Sequence, residues 1–147
     1  MPLVNRPFVQ LSDLVLTEKR PATGEAREVV FVDVASDTTV TLGTVAYRAK
    51  AATDTAYALL TAAAQLVATN EFIVLFGDEY GCKDSWVLLA ADTTDNAVGF
   101  VRDNVILKDY LLKQLYTTGG SPVLTAPQFE ALRHLLKSQG VILEITV

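Results

Sequence analysis

Short runs of β-branched and aromatic residues, separated by polar turns, constrain the fold of this chain more than any other sequence feature. Residues 29–34 (VVFVDV) form one such run, and this composition favours a β-strand. Residues 71–76 (EFIVLF) are almost entirely apolar, which is typical of a strand buried on both faces. Residues 39–48 predict a further strand whose apolar positions slip by one residue at Gly43, so we expect a β-bulge there.

Other segments add strands at both ends of the chain. Residues 8–16 indicate a first strand with imperfect alternation. Residues 86–91, beginning at Trp86, and residues 97–102 predict a hairpin closed by the turn 92–96, with the indole of Trp86 in the core. Residues 141–147 alternate apolar and polar positions, which predicts a terminal strand with one buried face.

Three segments have the 3.6-residue periodicity of helices. Residues 54–69 predict an amphipathic helix with many small side chains. Residues 104–117 predict a second helix with Asp103 as its N-cap and with Asp109 and Lys113 as a solvent-exposed ion pair. The third helix, residues 126–139, has the clearest ends: Thr125 and Gln128 form a capping box, and Gly140 suits the left-handed position after the last turn.

The predicted element order is β-β-β-α-β-β-β-α-α-β. This order is typical of an α+β fold with a mostly antiparallel or mixed sheet and about three helices. The N-terminal half is rich in strands, and a C-terminal helix leads into a terminal strand. The length of 147 residues predicts a single domain spanning 1–147. Residues 17–28 are the most polar segment and predict a polar arm or a long hairpin loop.

Composition excludes several classes of protein. A single cysteine excludes a disulfide scaffold, and a single histidine excludes a multi-histidine metal site within one chain. The net charge of −5 argues against sequence-specific or general nucleic-acid binding. Half of the residues are hydrophobic, but we find neither a run long enough to span a membrane nor a signal peptide. We therefore expect a soluble protein synthesised in the cytoplasm, with no cofactor.

The sequence contains few residues that could carry chemistry. It has no Gly-rich phosphate loop, no nucleophile elbow and no zinc-binding pattern. His134 is the only imidazole, and it projects from the face of the third predicted helix that lies opposite the core. Cys82 could form a dyad with His134 only if its loop lay against that helix, and a lone thiol is more often inert. We therefore predict no catalytic residue and no enzyme.

One acidic loop, residues 77–85 (GDEYGCKDS), holds the only candidate metal ligands. These are Asp78, Glu79 and Asp84, with Asp92 and Asp95 in the following turn. Carboxylates of this kind can hold calcium or magnesium, but their spacing does not match a calcium-binding loop. Aspartate is also an ordinary turn residue, so a solvated turn explains these side chains and no metal site is predicted. A small ligand-binding or metal-binding domain, or an enzyme using this loop, is the alternative.

The apolar content of the strands indicates the function that we expect. Several strands are apolar on both faces, more than three helices of a chain this short can cover. This surplus predicts a non-enzymatic structural or assembly subunit whose partners are copies of itself or other structural subunits. In composition the chain resembles structural proteins of tailed-phage virions, such as capsid cement, connector or tail components, because it is short, rich in Thr, Ala and Val, and free of motifs. The resemblance implies incorporation in a virion. A regulatory adaptor that binds a partner along an exposed sheet edge is a further reading.

Overall fold

Short strands dominate the described part of the chain, which comprises residues 14–18, 26–52, 55–118 and 124–145 of this computed structural model. The strands are β1 (Val15–Thr17), β2 (Arg27–Val30), β3 (Thr38–Thr41), β4 (Val45–Ala49), β5 (Ala58–Leu59), β6 (Asn70–Asp78), β7 (Gly81–Cys82), β8 (Ser85–Leu88), β9 (Ala97–Phe100), β10 (Val105–Lys108) and β11 (Val141–Glu144). The helices are α1 (Tyr110–Lys113), continued by a π-helical turn over Gln114–Thr118, and α2 (Ala126–Ser138). Pairing is mostly antiparallel. The α+β class is therefore confirmed, but the described residues form two α-helices where the sequence predicts about three.

The longest strand, β6, lies at the centre of a six-stranded sheet. The sheet has the order β2-β9-β6-β4-β5, with β7 added as a short hairpin at the end of β6. Residues 72–77 of β6 are all buried, so the prediction of a strand covered on both faces is confirmed. Alternate residues contact two different cores: Phe72, Val74 and Phe76 lie in one cluster, and Ile73 and Leu75 in the other.

Different elements cover the two faces of the central sheet. On one face, the first cluster joins the sheet to α1, α2 and a three-stranded sheet of order β1-β10-β11. On the other face, the second cluster joins it to the two-stranded ribbon formed by β3 and β8. This ribbon contributes the buried side chains Val40, Trp86 and Leu88, so the core position predicted for Trp86 is confirmed.

The central sheet curls until its two edges meet. Val32, two residues after β2, forms a parallel bridge with Tyr57, one residue before β5. The Tyr57 N–H donates to the Phe31 carbonyl, and the Asp33 N–H donates to the Tyr57 carbonyl, both at 2.9 Å. Asn96 supports the same segment, because its side-chain amide pairs with both the N–H and the C=O of Val32. One stretch of each sheet edge is thereby closed.

The C-terminal helix agrees with the sequence prediction, and so does the predicted strand over residues 141–144, while residues 146 and 147 lie outside the described residues. In α2, the Thr125 hydroxyl accepts from the Gln128 N–H while the Gln128 side chain accepts from the Thr125 N–H, as in a capping box. Gly140 has φ +88°, the left-handed conformation that glycine adopts most readily. β11 follows with Val141 and Leu143 buried, and it pairs in parallel with β10.

The helix predicted at residues 54–69 is wrong. Residues 53 and 54 lie outside the described residues, and from 55 onward the chain forms β5 and a 3-10 turn at Ala63–Gln65. β5 extends the central sheet, where Ala46 of β4 pairs with Leu59. The helical spacing of alanine and leucine is overridden here because the chain gains hydrogen bonds along the edge of β4.

The helix predicted at residues 104–117 is wrong over its first half. Asp103 and Asn104 have φ +74° and +56°, so they form a tight turn and Asp103 caps no helix. Residues 105–108 form β10, which lies between β1 and β11 in the three-stranded sheet. The helix begins only at Tyr110. The β-branched pair Val105 and Ile106 suits this strand position better than the first turn of a helix.

Strand partners also differ from the prediction. β8 pairs with β3, and β9 pairs with β2 and β6, so residues 86–91 and 97–102 form no hairpin with each other. The bulge expected at Gly43 is a sharper feature, a turn with φ +96° that separates β3 from β4 and sends them into different sheets. The predicted first strand is described only from Leu14, and residues 19–25 of the predicted polar arm lie outside the described residues.

Candidate functional site

The acidic loop that the sequence singles out is a turn held by its own hydrogen bonds. Asp78 ends β6, and its Oδ1 accepts from the Tyr80 N–H at 3.0 Å. Its Oδ2 lies 3.5 Å from the Lys83 ammonium. Glu79 and Asp84 are exposed. Among the residues that the structure describes, no three His, Cys, Asp or Glu side chains are grouped closely enough to hold a metal ion.

The acids of the following turn also have local roles. Asp92 accepts hydrogen bonds from the Leu89 N–H and from the Asn96 side chain, at 3.1 and 3.2 Å. Asp95 is exposed. These contacts are typical of an aspartate-rich turn, and both are made by the Oδ2 atom of Asp92.

Cys82 and His134 lie on different layers. Cys82 is exposed on β7, at the end of the central sheet. His134 is exposed on α2, opposite the face that buries Phe129, Leu132 and Leu136. The helix geometry deduced from the sequence therefore describes the position of His134 correctly.

Arg27, near the end of the polar segment 17–28, has a structural role. Arg27 donates two hydrogen bonds to Glu18, at 2.8 and 2.7 Å, and its guanidinium lies over the rings of Phe76 and Phe100. The hydrogen bond to Glu18 is the main reason why the pKa of Arg27 is raised. Glu18 and Arg27 therefore form an ion pair near the two ends of this polar segment, and the arginine packs over two aromatic rings.

A second arginine lines a cavity of about 200 Å³ beside β2. Arg48 stacks over the ring of Tyr57 at 4.4 Å and forms an ion pair with Glu71. Burial, followed by the nearby Glu71 charge, raises the pKa of Tyr57. Glu28 and Asp95 also line this cavity. The cavity is lined by side chains of both charges, and Arg48 is already paired with Glu71 and stacked on Tyr57.

A second cavity is a groove of about 430 Å³, which we call the threonine groove and whose described lining residues are uncharged. It is lined by Thr38, Thr39, Val40, Thr41, Thr44, Leu59, Leu60, Thr61, Leu115 and Tyr116. Tyr116 is the one lining residue with a titratable side chain, and its hydroxyl accepts from the Val45 N–H at 2.6 Å. Burial raises the pKa of Tyr116, so its phenol is neutral across the physiological range. Apart from the Thr-rich composition of residues 38–44, no sequence pattern predicts this groove.

The ribbon of β3 and β8 presents an uncharged outer face, here called the ribbon face. It consists of the outward side chains Thr39, Thr41, Ser85 and Val87 together with the adjacent Leu89. Val87 is 50% exposed and Leu89 44%, so two apolar side chains stand next to each other on this surface. Within the described residues, β3 and β8 pair only with each other, and each keeps one open edge.

Comparisons with known protein families, with curated proteins and with solved structures find no match to this chain. Among the described residues, no helix has the length and apolar character needed to cross a membrane. The ribbon face and the threonine groove are therefore the features from which a function can be argued.

Proposed function

We propose that this chain is a non-enzymatic structural or assembly subunit of a larger protein complex. The observation that carries the proposal is the ribbon face, where exposed Val87 and Leu89 lie beside the uncharged side chains of Thr39, Thr41 and Ser85. Patches of this composition occur where a second protein surface covers them.

The open edges of the ribbon support the same function. A strand with an open edge presents unpaired N–H and C=O groups, and natural proteins protect such edges with charges, prolines or bulges. β3 (TTVT) and β8 (SWVL) contain none of these protective residues. Association with another subunit would cover both the edge and the apolar side chains.

The composition of the sequence suggests the kind of assembly. Short chains rich in Thr, Ala and Val resemble virion components of tailed phages, and capsid cement, connector and tail proteins are the candidates within that class. Detection of the chain at fixed stoichiometry in purified particles, by mass spectrometry, tests this narrower proposal. Its absence from every such particle would remove the virion reading while leaving an assembly role.

The broader proposal is tested by size-exclusion chromatography with light scattering and by native mass spectrometry. We expect the wild-type chain to form oligomers, and a Val87→Asp/Leu89→Asp variant to be a monomer because each new carboxylate would lose its hydration in a contact. Thr93→Asp/Thr94→Asp, in the exposed turn after the ribbon, is the matched control and should leave the mass unchanged. A wild-type chain that is a monodisperse monomer at high concentration, with the same mass as the ribbon variant, would contradict self-assembly.

The acidic loop is the basis of the alternative, a metal-binding or ligand-binding domain. A native-state ion would raise the melting temperature by mass action. Titration with calcium and magnesium, compared between the wild-type chain and Asp78→Ala/Asp84→Ala, therefore separates the two functions. A rise that the double variant abolishes would favour the alternative.

A further inference from the structure

We infer that the threonine groove is the acceptor site for one extended, uncharged strand of a partner subunit. The inference rests on the assembly function proposed above and names the surface and the chemistry of the contact. The groove shares Thr39 and Thr41 with the ribbon face, but it extends from β3 to β5 and is not lined by Val87 or Leu89.

The first wall of the groove offers main-chain groups at Thr39 that no residue within the described part of the chain occupies. In an antiparallel pair, alternate residues direct their N–H and C=O groups toward the partner strand and away from it. The Leu42 N–H donates to the Asp84 carbonyl at 3.0 Å, which fixes this alternation for β3 and β8. Thr39, three residues before Leu42, therefore directs its N–H and C=O away from β8.

The second wall offers the same groups at Leu59. The Leu60 N–H donates to the Val45 carbonyl at 3.0 Å, so Leu60 and Ala58 face β4. Leu59, which lies between them, directs its N–H and C=O away from β4. Thr39 and Leu59 both line the groove, so each wall supplies one hydrogen-bond donor and one acceptor.

Neighbouring positions on both edges are already occupied. The Thr44 hydroxyl accepts from the Thr41 N–H at 3.3 Å and donates to the Thr41 carbonyl at 2.8 Å. On the other edge, Phe31 and Asp33 occupy the main-chain groups of Tyr57. The open stretch is therefore short and is bounded by the protein itself, as expected of a site for a few residues of strand rather than for a whole sheet edge.

The lining of the groove selects an uncharged occupant. Its apolar surface comes from Val40, Leu60 and Leu115, and the threonine hydroxyls stand at its margins. None of the lining residues that the structure describes has a charged side chain, in a chain of which 20% of residues are charged. The cavity beside β2, by contrast, is lined by Glu28, Arg48 and Asp95. A charged strand would lose hydration in the threonine groove without gaining an opposite charge.

A titration followed by amide NMR tests the inference. The probe is the capped pentapeptide TVTVT, and its control is TVPVT, in which proline removes the central N–H. We expect TVTVT to shift the amides of Thr39, Leu59 and Thr61, and TVPVT to bind about tenfold more weakly because one wall acceptor is left unpaired. An absence of shifts at ~10 mM TVTVT, or shifts centred on other residues, would overturn the inference.

Proline variants of the protein provide a second test that preserves the fold. Thr39→Pro removes the N–H that faces the groove, and an edge strand tolerates proline where its N–H faces outward. Thr93→Pro is the control, because Thr93 is exposed in the turn after the ribbon and lies outside both the ribbon face and the groove lining. We expect Thr39→Pro to weaken TVTVT binding about tenfold and Thr93→Pro to leave it unchanged. Equal affinity of all three proteins would overturn the inference.

The failure of this inference and the failure of the proposed function are distinguishable. Oligomers that depend on Val87 and Leu89, in a protein that does not bind TVTVT, would leave the assembly function intact and remove the groove. Binding of TVTVT to a chain that stays a monomer in every preparation would support the groove as a strand acceptor and remove self-assembly.

Discussion

Arg133 and Asp109 form a buried ion pair that joins α2 to the start of α1. The Nη2 of Arg133 lies 2.9 Å from the Oδ2 of Asp109, and the Asp109 side chain is 1% exposed. Arg133 also donates to the Leu143 carbonyl, and the Asp109 N–H donates to the Glu144 carbonyl. The pair therefore fixes α1, α2 and β11 relative to one another.

Removal of one partner of this pair should be strongly destabilising. Arg133→Met leaves the Asp109 carboxylate buried without its guanidinium, and we expect a loss of about 3–5 kcal/mol in the free energy of unfolding. Urea denaturation measures the loss. Arg102→Met is the control, since the Arg102–Glu28 pair is largely exposed and its removal should cost about 1 kcal/mol or less. Equal losses in the two variants would contradict a structural role for the buried pair.

Gln139 supplies the hydrogen bonds that one residue of β6 would otherwise lack. Its side-chain carbonyl accepts from the Phe72 N–H and its amide donates to the Phe72 carbonyl, both at 2.7 Å. Gln139→Leu keeps the volume and leaves both groups unsatisfied, so we expect a loss of about 1–3 kcal/mol in urea denaturation. Gln114→Leu, at an exposed position, should change stability little. A neutral Gln139→Leu would show that water or a relaxed backbone replaces the amide.

Because of Tyr116, the free energy of unfolding should decrease at alkaline pH. Burial raises the pKa of its phenol above that of the unfolded chain, which is about 10. The unfolded chain therefore loses this proton first. The contribution of the Tyr116 phenol to the free energy of unfolding is thus complete below pH ~10 and decreases as the pH rises further. Burial raises the pKa of Tyr57 as well, and its contribution has the same sign.

Tyr116→Phe tests this dependence. At neutral pH the variant should be less stable by about 1–3 kcal/mol, because the Val45 N–H loses its acceptor. Between pH ~9 and ~11 its stability should fall less steeply than that of the wild type. Tyr80→Phe, at a side chain that is 87% exposed, is the control and should follow the wild-type curve. Parallel curves for Tyr116→Phe and the wild type would show that the phenol does not contribute.

Local signals explain what the sequence predicted correctly. The ends of α2 depend on Thr125, Gln128 and Gly140, which all lie within one turn of the positions they cap. β6 and β11 depend on apolar patterns within a single strand. Elements specified by their own residues could therefore be found without knowledge of the rest of the chain.

Elements specified by distant partners could not be found in this way. Residues 58 and 59 form a strand because β4 lies beside them, and residues 105–108 because β1 and β11 flank them. The same dependence explains the incorrect role given to Asp109. The sequence placed it on an exposed helix face with Lys113, whereas its partner, Arg133, is 24 residues away.

The candidate site was beyond sequence reasoning for a related reason. The threonine groove combines residues from β3, β5 and the π-helical turn, which are separated by about 20 and 50 positions along the chain. The proposed site depends on the direction of the main-chain N–H and C=O groups of Thr39 and Leu59. The identity of these two residues does not predict that direction. The acidic loop is a candidate site in the sequence because carboxylates can bind metal ions, but the contacts of Asp78 are those of a turn.

The single bridge between Val32 and Tyr57 has a consequence for the motion of the molecule. At this contact the two sheet edges are joined by two main-chain hydrogen bonds, and the Asn96 side chain adds two more at Val32. Local opening costs less free energy where few hydrogen bonds must break, so we expect the closed sheet to open transiently at this contact. Leu59 is two residues from the bridge, so a strand that binds beside Leu59 would lie next to this closure.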